Sequence, residues 1–288
     1  MVKKDGDNSS DVETTGHEWD GIEELNKPLP KWWLYTFYAC IVWAVGYWLV
    51  YPAWPLVSGY TTGYFGYSQR ETVAEDLAAA QADKAAYRDR IAASDLQTIH
   101  SDPELLNFAL AGGAAAFGDN CAPCHGRGAQ GFAGYPNLRD DAWLWGGSLD
   151  AIHQTIQHGI RADDPETRNS QMPAFGKLGI LKPDQVSDVS EYVLSLSGRE
   201  GDEAAAERGQ TVFATNCAAC HGAEGAGNQA LGAPNLSDEL WLYGGDKATV
   251  VETVTNSRGG MMPAWSERLD PATIKELAIY VHALGGGQ

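Results

Sequence analysis

The pentapeptide Cys121-Ala122-Pro123-Cys124-His125 recurs as Cys217-Ala218-Ala219-Cys220-His221, and it restricts the chain more than any other feature. Two cysteines three positions apart lie on one side of a helical turn, and the next residue is a histidine. This is the spacing of c-type haem attachment: thioether bonds fix the porphyrin through its vinyl groups, and the histidine reaches the iron. A zinc site would need further ligands at short spacing, and the surrounding stretches supply no further cysteine. A thioredoxin-like dithiol would follow a strand in a βαβ pattern, and none is visible. Four of the five cysteines sit in the two motifs, so two covalently attached haems are the expected cofactors.

A length of 288 residues suggests about two domains. Twenty basic residues against 38 acidic ones leave a net charge of −18. Such a surface disfavours nucleic acid and attracts basic proteins.

Residues 1–31 are polar and mostly acidic and read as a poorly ordered tail, facing the cytoplasm. His17–Pro30 mixes Trp19, Ile22 and Leu25 with acids and has some capacity to pack. After Lys31 no charged residue occurs until Arg70. Residues 32–54 are expected to form a transmembrane helix, with Trp32, Trp33 and Tyr35 at one interface and Tyr47, Trp48, Tyr51 and Trp54 at the other. A cleaved signal peptide fits poorly, because the leader is acidic and no small-residue cleavage site follows. Lys27 and Lys31 precede the helix and no basic residue follows closely, which places the N-terminus in the cytoplasm. The haem motifs would then lie outside a bacterial cytoplasmic membrane, where c-type haem is attached. Residues 55–102 form an uncharged glycine-tyrosine loop and then a helical connector, rich in alanine and mixed charge from about Glu71.

Residues 103–198 and 199–288 repeat one plan, and each is expected to be a small all-α domain. Gly113–Asn120 matches Gly209–Asn216 before the motifs. Pro136-Asn137-Leu138 matches Pro234-Asn235-Leu236, and Trp143-Leu144-Trp145-Gly146-Gly147 matches Trp241-Leu242-Tyr243-Gly244-Gly245. Helices are predicted near Ala151–His158 and Thr249–Asn256, and closing helices around Asp184–Leu196 and Ala272–Leu284, with Tyr192 aligned to Tyr280. No alternating run marks a convincing strand. Domains of this size gain much from a buried, covalently held cofactor.

Met172 and Met262 are the candidate second axial ligands. Each precedes proline, which holds the preceding residue extended. A methionine opposite histidine fills the iron coordination sphere, raises the potential and limits the haem to electron transfer. Met261 is a competitor for Met262, but only Met262 aligns with Met172. His153 and His158 lie on a predicted helix and read as surface or pocket residues, as does His100 near the start of the first half. Pro136 and Pro234 are suited to offer a carbonyl to the far nitrogen of each ligating histidine. Trp143, Trp241, Arg161 and Arg258 are candidates for contact with the ring or its propionates.

With the haem motif, Pro-Asn-Leu and Met-Pro in this order, each half resembles a class I cytochrome c domain. The chain as a whole resembles the membrane-anchored dihaem cytochrome c subunit III of cbb(3)-type cytochrome c oxidases, on His17–Pro30, Gly66-Tyr67-Ser68-Gln69-Arg70 and Ser170-Gln171-Met172-Pro173-Ala174-Phe175-Gly176. The resemblance implies that Cys121, Cys124, His125 and Met172 hold one haem, and Cys217, Cys220, His221 and Met262 the other. It implies a soluble or anchored cytochrome c as donor, and a monohaem cytochrome c subunit and a catalytic haem-copper subunit as partners in the membrane. No catalytic residue is expected in this chain. A free-standing anchored dihaem shuttle is the alternative. From chain order, the second haem is expected to receive electrons and the first to pass them on.

Overall fold

The computed structural model describes residues 13–287. The described residues divide into two units, one up to residue 81 and one from residue 82, and the division falls within one long helix.

The first unit opens with an antiparallel hairpin, β1 (Thr14–Trp19) and β2 (Ile22–Leu25), in a region expected to be poorly ordered. Asp20 and Gly21 both have positive φ, 52° and 83°, as a two-residue type I′ turn demands. The all-α expectation holds for the chain as a whole, and this hairpin and a shorter second one are small exceptions to it. Helix α1 (Lys31–Val50) follows, with no buried residue along its 20 positions. At about 1.5 Å per residue it is long enough to cross a hydrocarbon core. The predicted span ran to Trp54, but the helix ends four residues earlier. Pro52 removes a donor and pushes Tyr51 out of the helical region, to φ −114° and ψ 163°.

A short hairpin, β3 (Pro55–Leu56) with β4 (Gly59–Tyr60), then folds the chain back on the end of α1. Tyr64 N–H donates to Leu49 O at 3.0 Å and Phe65 N–H to Val50 O at 3.1 Å, so carbonyls that a helix terminus leaves free are satisfied. The approach requires glycine at position 63, where φ is +69° and a Cβ would fall 2.4 Å from Val50 O. The glycine-tyrosine loop is thus a cap on the membrane helix. Helix α2 (Gln69–Ala93) spans the division between the units.

The second unit holds both repeats. Helix α3 (Leu96–Ser101) leads to α4 (Pro103–Asn120), whose start is fixed by Asp102 accepting from Glu104 N–H and Leu105 N–H, with Pro103 in the first turn. The first motif forms the single turn α5 (Ala122–His125), followed by α6 (Leu149–His158) and α7 (Pro183–Leu196). The second repeat gives α8 (Glu203–Asn216), α9 (Ala218–His221), α10 (Lys247–Asn256) and α11 (Pro271–His282). The repeats stand in tandem along the chain, but the packing crosses between them. Helix α4 packs on α11 and α11 on α6, whereas α7 packs on α8 and α10.

Two separate apolar cores result. One gathers Leu105, Ala109, Phe117, Leu149, Ile152 and Ile156 with Ile274, Leu277 and Ile279 from the end of the chain. The other gathers Phe175, Val186, Val189 and Val193 with Phe213 and Val250. The second core is therefore one continuous stretch, inserted between the two parts of the first. The crossings are equivalent: Gly113 lies against Tyr280 and Gly209 against Tyr192, with backbones so close that a Cβ would fall 2.3 Å from Glu276 O or 2.1 Å from Asp188 O. The short link from Ser197 to Asp202 makes α7 and α8 neighbours, which is the usual outcome for consecutive helices joined by few residues.

Candidate functional site: two cysteine-histidine motifs with exchanged methionine loops

Each motif sits where a long helix runs into a single tight turn. Cys121 N–H donates to Phe117 O and His125 N–H to Cys121 O, both at 2.9 Å. In the second motif Cys217 N–H donates to Phe213 O at 2.8 Å and His221 N–H to Cys217 O at 3.0 Å. Phe117 and Phe213 are fully buried, which anchors the turns in the two cores. Cys121 and Cys217 are half-buried and Cys124 and Cys220 exposed. Burial, with the neighbouring cysteine adding to it, pushes the Cys121 and Cys217 thiols up to about 11.

The histidines are oriented as the sequence suggests. His125 Nδ1 lies 3.0 Å from Pro136 O and His221 Nδ1 lies 3.0 Å from Pro234 O. A carbonyl accepts, so Nδ1 carries the proton and Nε2 keeps its lone pair for a metal. Burial lowers the pKa of both imidazoles, against a smaller opposing effect of the carbonyl, and favours the neutral ligating form. The loops that carry the prolines are tied back to the motifs by Gly131 N–H on His125 O and Gly227 N–H on His221 O, both at 2.8 Å.

In the packing, each methionine lies with the motif of the other repeat. Met262 packs into the core that contains Cys121, and Met172 into the core that contains Cys217. Hydrogen bonds fix the exchange. Met262 and Ile160 bond reciprocally, at 3.0 and 2.9 Å, so the Met262 loop lies on the end of α6. Ser257 Oγ donates to Met172 O at 2.5 Å and Lys177 N–H to Thr255 O at 2.9 Å, so the Met172 loop lies on the end of α10. The reason is topological: each methionine travels with its closing helix, α7 or α11, and those helices pack across the repeats. Met261 is 69% exposed, which leaves Met262 as the residue facing the core.

The other candidates separate. His158 Nδ1 lies 3.0 Å from Asp164 Oδ1, His153 is half-buried, and His100 meets His282 edge-on at 5.5 Å. Trp143 Nε1 donates to Gly286 O, whereas Trp241 Nε1 is buried with no acceptor. Arg258 donates to Thr249 O and Thr253 Oγ1 and covers the Tyr243 ring at 4.5 Å. Arg161 bonds to backbone carbonyls of both methionine loops, a role its sequence position gave no sign of.

These residues fit a covalently held haem. Paired cysteines flank each turn, a neutral imidazole faces each crevice, a thioether packs into the same core, and the orphaned Trp241 indole offers a donor that a propionate would satisfy. Among the described residues no three His, Cys, Asp or Glu side chains gather into an alternative metal site. The fold and site define a class: a cytochrome c, with covalently bound haem c, behind an apolar helix that anchors it to a membrane.

Comparisons with known proteins agree and go further. Residues 11–58 match the N-terminal domain of cytochrome oxidase-cbb3, FixP; residues 110–197 match cytochrome c; residues 204–281 match cytochrome c oxidase, cbb3-type, subunit III. The chain is 57% identical to the cbb3-type cytochrome c oxidase subunit CcoP of Azospirillum sp. (strain B510), over the full length of both. It is 57% identical to subunit FixP of Azorhizobium caulinodans, covering 98% of this chain and 96% of that one. It is 55% identical to subunit FixP of Bradyrhizobium diazoefficiens, covering 98% of each. The chain belongs to the CcoP/FixP family of cbb3-type cytochrome c oxidase subunits, and its role is electron transfer.

Proposed function

We propose that this chain holds two c-type haems and is the electron inlet of a cbb3-type haem-copper oxidase. One iron is bound by His125 and Met262 on a ring attached to Cys121 and Cys124. The other is bound by His221 and Met172 on a ring attached to Cys217 and Cys220. Each haem then takes its histidine from one repeat and its methionine from the other. The haem cores follow the packing: residues 82–168 with 259–287 form one, and residues 170–258 the other. With both axial positions filled, the irons pass electrons and leave oxygen to a catalytic haem-copper subunit. A cytochrome c donor delivers electrons, and its docking is favoured by the charge of −18. They enter at the second haem and leave by the first towards a monohaem subunit. Lys27 and Lys31 put the N-terminus in the cytoplasm and the haem cores in the periplasm.

The observation that carries the ligand sets is the packing of Met262 with Cys121 and of Met172 with Cys217. Carbon monoxide tests it, because it binds a reduced iron whose methionine is missing. In a protein that keeps only the first haem, through Cys217→Ala with Cys220→Ala, adding Met262→Ala is expected to open the iron and Met172→Ala to leave it closed. The reverse pattern would restore pairing within each repeat and refute the crossed sets.

A further inference from the structure

Arg161 stands where the two methionine loops meet. It lies three residues beyond α6 and has a φ of +52°, a conformation a non-glycine side chain adopts at a cost. Its Nε donates to Gly260 O at 2.7 Å, its Nη2 donates to the same carbonyl, and its Nη1 donates to Ser170 O at 2.8 Å. Ser170 is two residues before Met172 and Gly260 is two residues before Met262. One planar, permanently charged fork thus holds the equivalent point of both loops. Two other arginines near these loops, Arg168 and Arg258, are turned back on α6 and α10 instead.

We propose that Arg161 is a positioning residue that latches both methionine loops at once and makes the closure of the two irons interdependent. The inference rests on the crossed ligand sets proposed above. A methionine leaves its iron by moving its loop, and moving either loop breaks a charge-assisted hydrogen bond to Arg161. Losing such a bond raises the population of the open loop on the order of 10- to 100-fold. Because one side chain serves both loops, its removal acts on both haems.

The test uses the full-length, haem-loaded protein in detergent. The oxidised form is scanned for the near-infrared methionine–iron charge-transfer band, and the reduced form is mixed with carbon monoxide to read how fast each iron opens. Arg161→Gln is expected to speed carbon monoxide binding at both haems, on the order of 10- to 100-fold, with haem content and helicity unchanged. Arg161→Lys, whose single ammonium cannot span both carbonyls, is expected to fall between, and it keeps the test open if the glutamine variant loses haem. Arg208→Gln, which breaks a pair with the half-buried Asp188 and touches neither methionine loop's bond to Arg161, is the control and should leave both rates alone. If the unaltered protein shows the band at both haems and the Arg161 variants change neither rate, or only one, the latch is overturned while methionine ligation stands; which methionine serves which iron is read separately in the single-haem variants above. If the unaltered protein lacks the band, methionine ligation fails and the latch fails with it.

Discussion

Glu276 offers the sharpest test of the crossed packing. It lies on α11 at the contact with α4, is 3% exposed, and has a carboxylate oxygen with no hydrogen-bond partner. Its counterpart in the repeat, four residues before the equivalent tyrosine, is Asp188, which pairs with Arg208 at 2.7 Å. The position equivalent to Arg208 is Gly112, so Glu276 receives no cation there. Burial pushes its pKa up to about 7; Arg88 and Lys84 oppose this and Asp270 adds to it. The unfolded chain releases the proton near 4.5. The folded state therefore holds more protons between those values, and stability falls as pH rises through that window. The contribution is fully present below about pH 4.5 and lost above about pH 7. At roughly 1.4 kcal/mol per pH unit the loss is about 3 kcal/mol. Glu276→Gln keeps the shape and removes the titration. The variant is expected to match the unaltered protein near pH 4.5 and to exceed it by about 3 kcal/mol at pH 8. For a unit of this size that is a melting shift of roughly 6–12 °C. Thermal unfolding of both haem-loaded proteins at several pH values reads the difference directly, since all other titrations cancel. Parallel profiles from pH 4.5 to 8 would refute the reasoning, and with it the unpaired carboxyl at the α4–α11 contact.

Gly209→Val would place a side chain against Asp188 O and Tyr192 and force α7 from α8, costing about 1–3 kcal/mol in denaturant unfolding. If packing were confined within each half, the same change would leave α7 undisturbed, which hydrogen exchange along α7 would report. Gly63→Ala meets Val50 O and needs an unfavourable φ, at a cost of about 1–3 kcal/mol. It should speed exchange of the Tyr64 and Phe65 amides, whose bonds close the end of α1, and leave the haem cores unchanged.

Much of the architecture was legible because its signals are local. Apolar length marked α1, and the aligned Pro-Asn-Leu segments marked the carbonyls facing His125 and His221. Two local signals were readable and misjudged. Asp20-Gly21 specifies a hairpin turn, and Tyr51-Pro52 ends the membrane helix early.

The partner of each methionine was not legible in principle. The repeats are alike, so α11 presents to α4 the kind of surface that α7 presents to α8. What decides is chain connectivity in three dimensions: a short link sets α7 beside α8, and α4 is left for α11. The sequence by itself determined that each crevice has two cysteines, a histidine and a methionine available, because those are properties of spacing and type. Only the tertiary structure decided which methionine packs into the core of which motif, and that Arg161 bonds to both loops, because both depend on which surfaces bury one another.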